Sequence, residues 1–254
     1  MTETIEPAEN PLNYLALLAT GRTGADIERL VREARQVARR QKRPVSWSDL
    51  EHALRGGQMQ MSDDLRWRVS IHEAGHAVAW SLLGVGEVLS ATVGLQGPGA
   101  VMTRPYGHLA QTQDWMRRTV ACLLAGRAAE MLVFGDALAG SGGHDDSDLA
   151  RATDCALSAE TSLGFSEHMP LLYRSPRTSF DALTLDRDLA ARVHARLTAA
   201  EEVAARLLTE RRPELLEIAE RLRLNGVMEG GEIRDVLGLQ GRATTDSTTS
   251  GGAL

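Results

Sequence analysis

Residues 72–76 read His72-Glu73-Ala74-Gly75-His76, the pattern H-E-x-x-H. On a helix of 3.6 residues per turn, positions four apart lie one turn above each other on the same face. Two imidazoles placed in this way can reach one cation, and zinc accepts histidine nitrogen readily. Glu73 sits beside them, not needed as a ligand and free to take a proton from a water held there. The bland reading is a pair of surface histidines on an amphipathic helix. The neighbours argue against it: Ala74, Gly75, Ala77, Val78 and Ala79 are small or apolar, so the segment is expected to be buried on most sides. Buried polar side chains without partners are costly, so a buried His-Glu-His asks for one.

A catalytic zinc takes a third protein ligand. The extension H-E-x-x-H-x-x-G-x-x-H fails here, because Ala79 stands at the glycine and Leu82 at the last histidine. The third ligand must come from further along the chain. By chemistry the candidates are Glu87, His108, Glu130, His144, Asp145, Asp146 and Asp148, and spacing does not choose among them. Glu130, in Gly126-Arg127-Ala128-Ala129-Glu130, could instead pair with Arg127 or orient a ligand histidine from behind.

The elements that must position these residues can be read from pattern and punctuation. The helix carrying the motif is expected to start at Ser62, run to about Leu83 and stop at Gly84. Val88, Ser90 and Thr92 alternate with Leu89, Ala91 and Val93, which predicts strands over 87–104, turned at Gly97-Pro98-Gly99. One strand there is expected to be a sheet edge able to pair with an extended substrate, the alternative being plain packing on the motif helix. A proline inserted in 90–93 is the expected probe of that pairing. Helices are predicted over about 112–134 and 147–163, on either side of a Gly-rich, acidic loop at 137–146. A long helical pair follows at 186–208 and 214–223.

Upstream, Thr23-Gly24-Ala25-Asp26 is a capping-box pattern. It opens a helix with Ile27, Leu30, Val31, Ala34, Val37 and Ala38 on one face. The basic run Arg39-Arg40-Gln41-Lys42-Arg43 closes that helix before Pro44, and Ser46-Trp47-Ser48-Asp49 caps another that ends near Gly56-Gly57. The expected division is a disordered leader at 1–11, a helical unit at 12–57, a main domain at 60–239 and a disordered Thr-, Ser- and Gly-rich tail at 240–254. The expected fold is mainly α with a small β-sheet.

Composition bounds the rest. The 254 residues are 43% hydrophobic but only 4% aromatic, so Ala, Leu and Val must build the core, which favours helices. A formal net charge of -6 speaks against nucleic acid as a partner. The two cysteines, Cys122 and Cys155, form no C-x-x-C pair and no disulfide framework, and fit free thiols in a reducing compartment. The first eleven residues lack an apolar signal-peptide core. The most apolar window, 77–95, is interrupted by Gly84, Gly86 and Glu87, so no membrane span is expected and the expected location is cytoplasmic.

Several motifs resemble a known family. His-Glu-Ala-Gly-His-Ala at 72–77, Ala-Gly-Arg-Ala-Ala-Glu at 125–130 and Ser-Asp-Leu-Ala-Arg-Ala-Thr at 147–153 occur in the order seen in the peptidase domain of AAA proteases of the FtsH type. Leu163-Gly164-Phe165-Ser166-Glu167, Pro170-Leu171-Leu172-Tyr173 and the stretch from Leu207 to Gly226 extend the likeness, which covers about 60–238. The resemblance implies a zinc endopeptidase acting on unfolded polypeptides. It implies Asp148 as third zinc ligand, with Ser147 where the family has Asn, and Glu73 as catalytic base. Glu130 matches a family glutamate near the site, implying a supporting role, and Asp145 and Asp146 then fall in a solvated loop. Thr20 to Ile27 and Arg43 to Leu54 are similar to the lid of the AAA module, and the family implies a homo-oligomer, a hexamer.

The ATPase motif is missing from these residues. A P-loop needs G-x-x-x-x-G-K-[ST], and the single lysine, Lys42, lies in Arg-Arg-Gln-Lys-Arg-Pro. Powered unfolding is therefore expected from a separate AAA ATPase subunit. The competing expectation is an ATPase-less assembly or regulatory subunit that joins a full-length protease.

Overall fold

The computed structural model describes residues 11–19, 22–56, 61–95, 97–175 and 179–239. The expected leader and tail, apart from Pro11, lie outside them. Pro11, read from sequence as the end of the leader, is instead the first residue of helix α1 (Pro11–Leu18). Helices α2 (Gly24–Arg40) and α3 (Trp47–Arg55) follow, each opened by a capping box, Thr23 with Asp26 and Ser46 with Asp49. In each, the cap hydroxyl accepts from the N3 amide and the N3 carboxylate accepts from the cap amide, so two otherwise orphaned donors are satisfied. The buried stripe of α2 is narrower than its apolar pattern suggests: Leu30, Ala34 and Ala38 are buried, whereas Ile27 and Val37 face solvent. Leu15, Leu18, Leu30 and Leu54 form a small core with Leu95 and Val227, so these helices dock on one end of the sheet.

The main body is built on α4 (Asp63–Leu83), capped by Ser62 and stopping at Gly84. Strands β1 (Gly86–Val93) and β2 (Gly99–Pro105) follow, then α5 (Gln113–Phe134), α6 (Asp148–Thr161), α7 (Ser179–Leu185), α8 (Arg187–Glu210), α9 (Arg212–Asn225), β3 (Val227–Glu229) and α10 (Gly230–Val236). The fold is mainly α with a small antiparallel sheet of order β2-β1-β3. Strand β3, short and without alternation of its own, was not legible in the sequence. It pairs with Ser90, Ala91 and Thr92. Residues 90–93 are thus central, paired on both sides, and the edge beside the motif helix is β2.

α4 packs on α5, α9 and β1, and α5 packs in turn on α8 and α6. The α4–α5 contact is close because Gly75 faces it. A Cβ at Gly75 would come within 2.5 Å of the Ala125 carbonyl oxygen and 2.6 Å of the Ala129 Cβ. The main core, from Ile71, Val78 and Ala121 to Leu208, Ile218 and Leu222, surrounds these helices. No described helix is long and apolar enough to cross a membrane.

Candidate metal centre

His72 and His76 sit on consecutive turns of the face that α4 turns toward α5. On α5 the residues opposite them are also four apart: Cys122, Gly126 and Glu130. This stripe backs both imidazoles. Nδ1 of His76 lies 2.8 Å from the Cys122 carbonyl oxygen, and Nδ1 of His72 lies 2.6 Å from Oε1 of Glu130. A carbonyl oxygen can only accept, so Nδ1 of His76 carries the hydrogen. The Glu130 carboxylate imposes the same tautomer on a neutral His72. Each ring then directs its Nε2 lone pair away from α5. Between them is Gly126, where a Cβ would lie 2.5 Å from Nε2 of either histidine.

Asp148 closes the arrangement. It is the first residue of α6, capped by Ser147, whose hydroxyl accepts from the Ala150 amide. Its Oδ2 lies 3.3 Å from Nε2 of His72 and 3.1 Å from Nε2 of His76, and the two Nε2 atoms are 3.1 Å apart. A tetrahedral ion with bonds of about 2.0–2.1 Å holds neighbouring ligands about 3.3–3.4 Å apart, so this near-equilateral triangle has the dimensions of one tetrahedral face. Two lone pairs and a carboxylate oxygen this close repel unless a cation lies among them. The donor set of two imidazoles and one carboxylate fits zinc.

The electrostatics favour positive charge at the same point. Burial disfavours charge on His72, but Asp148 and Glu130 outweigh it and push its pKa up to about 10. Burial would also raise Asp148, yet its hydrogen bonds with His72 and His76 hold its carboxyl below the ordinary carboxylate range. Glu73, 6% exposed, is pushed up by burial against the opposing pull of His76 and His72. A raised carboxyl next to a cation site is the condition for a group that takes and returns protons. Glu73, His76 and Asp148 line a cleft of about 230 Å³ whose far wall is Gly99, Ala100, Val101 and Thr103 of β2.

Of the seven candidates for a third ligand, Asp148 meets both histidines. Glu130, 1% exposed, lies behind His72, and its Oε2 accepts the Leu138 amide at 2.6 Å. Arg127 pairs with Glu201 across the α5–α8 contact. Glu87 is tied to Arg104 and Arg234, and His108 stacks on Tyr106. His144, Asp145 and Asp146 are exposed in the loop before α6. Among the described residues, His72, His76 and Asp148 form the group able to hold a metal ion. Gly126 was missed as a site residue. Its signal was a glycine four residues before Glu130 in the middle of an otherwise strong helix.

A helix-borne H-E-x-x-H whose histidines converge with a distant carboxylate, beside a buried glutamate, is the layout of a metallopeptidase centre. The sequence matches Peptidase family M41 over residues 59–236, and the chain belongs to that family. Similar curated proteins include ATP-dependent zinc metalloprotease FtsH 1 of Sorangium cellulosum, 30% identical over 91% of this chain and 40% of the relative. The ATP-dependent zinc metalloprotease FtsH of Neorickettsia risticii is 31% identical over 89% of this chain and 38% of its own length, and that of Pirellula staleyi 34% over 66% and 26%. The chain spans about two fifths of the length of the first two.

Proposed function

We propose that this chain is a zinc metalloendopeptidase that hydrolyses peptide bonds of unfolded polypeptides. The observation that carries the reading is the triangle of Nε2, Nε2 and Oδ2 atoms 3.1–3.3 Å apart with Glu73 alongside. His72, His76 and Asp148 would hold the ion. When bound, zinc supplies a Lewis acid that polarises the scissile carbonyl and acidifies water. Glu73 takes the proton from the attacking water and returns it to the leaving amine. Its buried, raised carboxyl suits both transfers. Glu130 fixes the tautomer and rotation of His72.

Strand β2, on the sheet edge and walling the cleft, supports an extended substrate that adds to the sheet beside Glu73. Peptides N-methylated at the backbone near the scissile bond would then be cut far more slowly than unmodified ones. Apolar side chains exposed over 163–173, Leu163, Met169, Leu171, Leu172 and Tyr173, support self-association, a hexamer by family resemblance. The lid-like helices α1–α3 and the peptidase body are read as two units, with powered unfolding supplied by an AAA ATPase beyond these residues. The free thiols of Cys122 and Cys155 support a cytoplasmic location.

The test is zinc content and casein cleavage of the purified chain beside Glu73→Gln. Zinc retained in both, with cleavage only in the parent, is the expected result. Zinc without cleavage of unfolded substrate in the parent would instead make the chain an assembly or regulatory subunit.

A further inference from the structure

Arg151 lies one turn beyond Asp148 on α6 and lines the same cleft as Glu73 and His76. Its ion-pair contact is loose. Nη1 stands 4.0 Å from Oδ1 of Asp148, the oxygen turned away from the histidines, and the side chain is 58% exposed. The other oxygen of Asp148 faces both imidazoles. At 4.0 Å the pair is an ion-pair contact too long for a hydrogen bond, so this contact leaves the five donors of the exposed guanidinium for another acceptor. Beside these charged groups the cleft is walled by Trp80, Leu123, Val101 and Thr103, and it is open to solvent at Arg151. Arginine binds carboxylates through two parallel hydrogen bonds, a geometry a neutral side chain cannot match.

We propose that Arg151 is a specificity-determining residue that selects substrates with an acidic side chain flanking the scissile bond. The proposal rests on the peptidase reading, and it concerns which polypeptides the cleft holds rather than how the bond is broken. Arg151 is exposed, and its long side chain has the reach to meet a side chain that projects from a substrate strand laid along β2. The same exposure and loose 4.0 Å contact leave it poorly preorganised for the reacting carbonyl, so the effect falls on substrate choice.

The experiment uses the full chain loaded with zinc and matched fluorescent peptides that differ only by Glu, Gln or Lys next to one cleavage position. Binding is measured by fluorescence anisotropy on the Glu73→Gln background, where no turnover disturbs equilibrium, and kcat/KM is measured with Glu73 present. The Glu peptide is expected to bind about tenfold more tightly than the Gln peptide. Arg151→Gln should bring that ratio close to one, and Arg151→Glu should invert it in favour of Lys. Zinc content should stay at the parent level in both, separating recognition from any disturbance of Asp148. Equal binding of the three peptides to the Arg151 protein, or a Glu preference that survives Arg151→Glu, overturns the proposal. Absence of casein cleavage by the parent, with the binding preference present, removes the peptidase reading and leaves the recognition site standing.

Discussion

Gly126 and His72 are matched across the α4–α5 contact: the Cβ that Gly126 lacks would stand 2.5 Å from Nε2 of His72, and equally close to Nε2 of His76. The site is thus shaped by an absent side chain as much as by the side chains that converge on it. Gly126→Ala separates site from fold. The nearest obstacles it meets are the far ends of two imidazoles, which must give way against the hydrogen bonds at their Nδ1 atoms. Alanine also gains about 0.8–1.0 kcal/mol of helix propensity over glycine. The metal-free variant should melt within a few degrees of the parent, while zinc affinity falls at least tenfold in a chelator competition. Parent-level zinc binding would show that the imidazoles are not held against this position.

Gly75→Ala should behave in the opposite way. Here the neighbours are the Ala125 carbonyl oxygen at 2.5 Å and the Ala129 Cβ at 2.6 Å, and neither can swing aside. The helices must move apart. Overpacking of this kind costs about 1–3 kcal/mol, more than the helix-propensity gain returns. Chemical denaturation of the metal-free chain should show a net loss of up to about 2 kcal/mol. Unchanged stability would mean that α4 and α5 are less tightly joined than their Gly75 contact indicates.

Glu130 accepts from Nδ1–H of His72 through one oxygen and from the Leu138 amide through the other, both at 2.6 Å. Glu130→Gln keeps the shape but offers one oxygen and one NH2, so one donor must meet another donor. Loss of such an outer partner typically costs 10–100-fold in metal affinity. Because Leu138 begins the segment leading to Asp148, the substitution disturbs both ends of the ligand set. A fall of at least tenfold in zinc affinity with helical content retained is expected. Equal affinity in Glu130→Gln and parent would reduce Glu130 to packing.

How much of this was legible in advance depends on how local each signal was. The limits of α4 were readable because Ser62 and Gly84 act on the backbone beside them, and His72 and His76 because helix periodicity alone sets their relation. The candidate for third ligand was not. Asp148 lies 72 residues beyond His76, and six other side chains had suitable chemistry. Only the resemblance singled it out, and the folded chain then brought it within 3.1 Å of His76. Gly126 escaped because a glycine in a helix carries no mark of what approaches it. Strand β3 escaped because three residues cannot display a period, and its existence depends on pairing with Ser90–Thr92. That pairing is also why a proline in 90–93 would break the sheet rather than probe its edge.

The last prediction concerns a carboxylate outside the site. Glu160 on α6, its side chain 3% exposed, accepts from Nε of Arg196 at 2.5 Å, Nε of Arg192 at 3.1 Å and the Ser166 hydroxyl at 2.8 Å. Arg196 also donates to the Phe165 carbonyl, so this cluster ties the segment after α6 to α8. Burial pushes the Glu160 carboxyl up, but the hydrogen bonds from Arg196 and Ser166 and the arginine charges outweigh it and hold the pKa below the ordinary value. The folded chain therefore binds fewer protons at this position than the unfolded chain. Stability from Glu160 is fully present above the unfolded glutamate pKa of about 4.3 and is lost as pH falls through the lower folded value. Glu160→Gln removes a buried charge from two arginines and should cost about 2–4 kcal/mol at pH 7. Denaturation of both proteins in chelator, so that metal loss is common to them, should show that gap level down to about pH 5 and narrowing as the pH falls below the unfolded pKa of about 4.3. A gap that stays constant with pH would mean that Glu160 is not ionised in the folded chain and that the α6–α8 tie is made by other contacts.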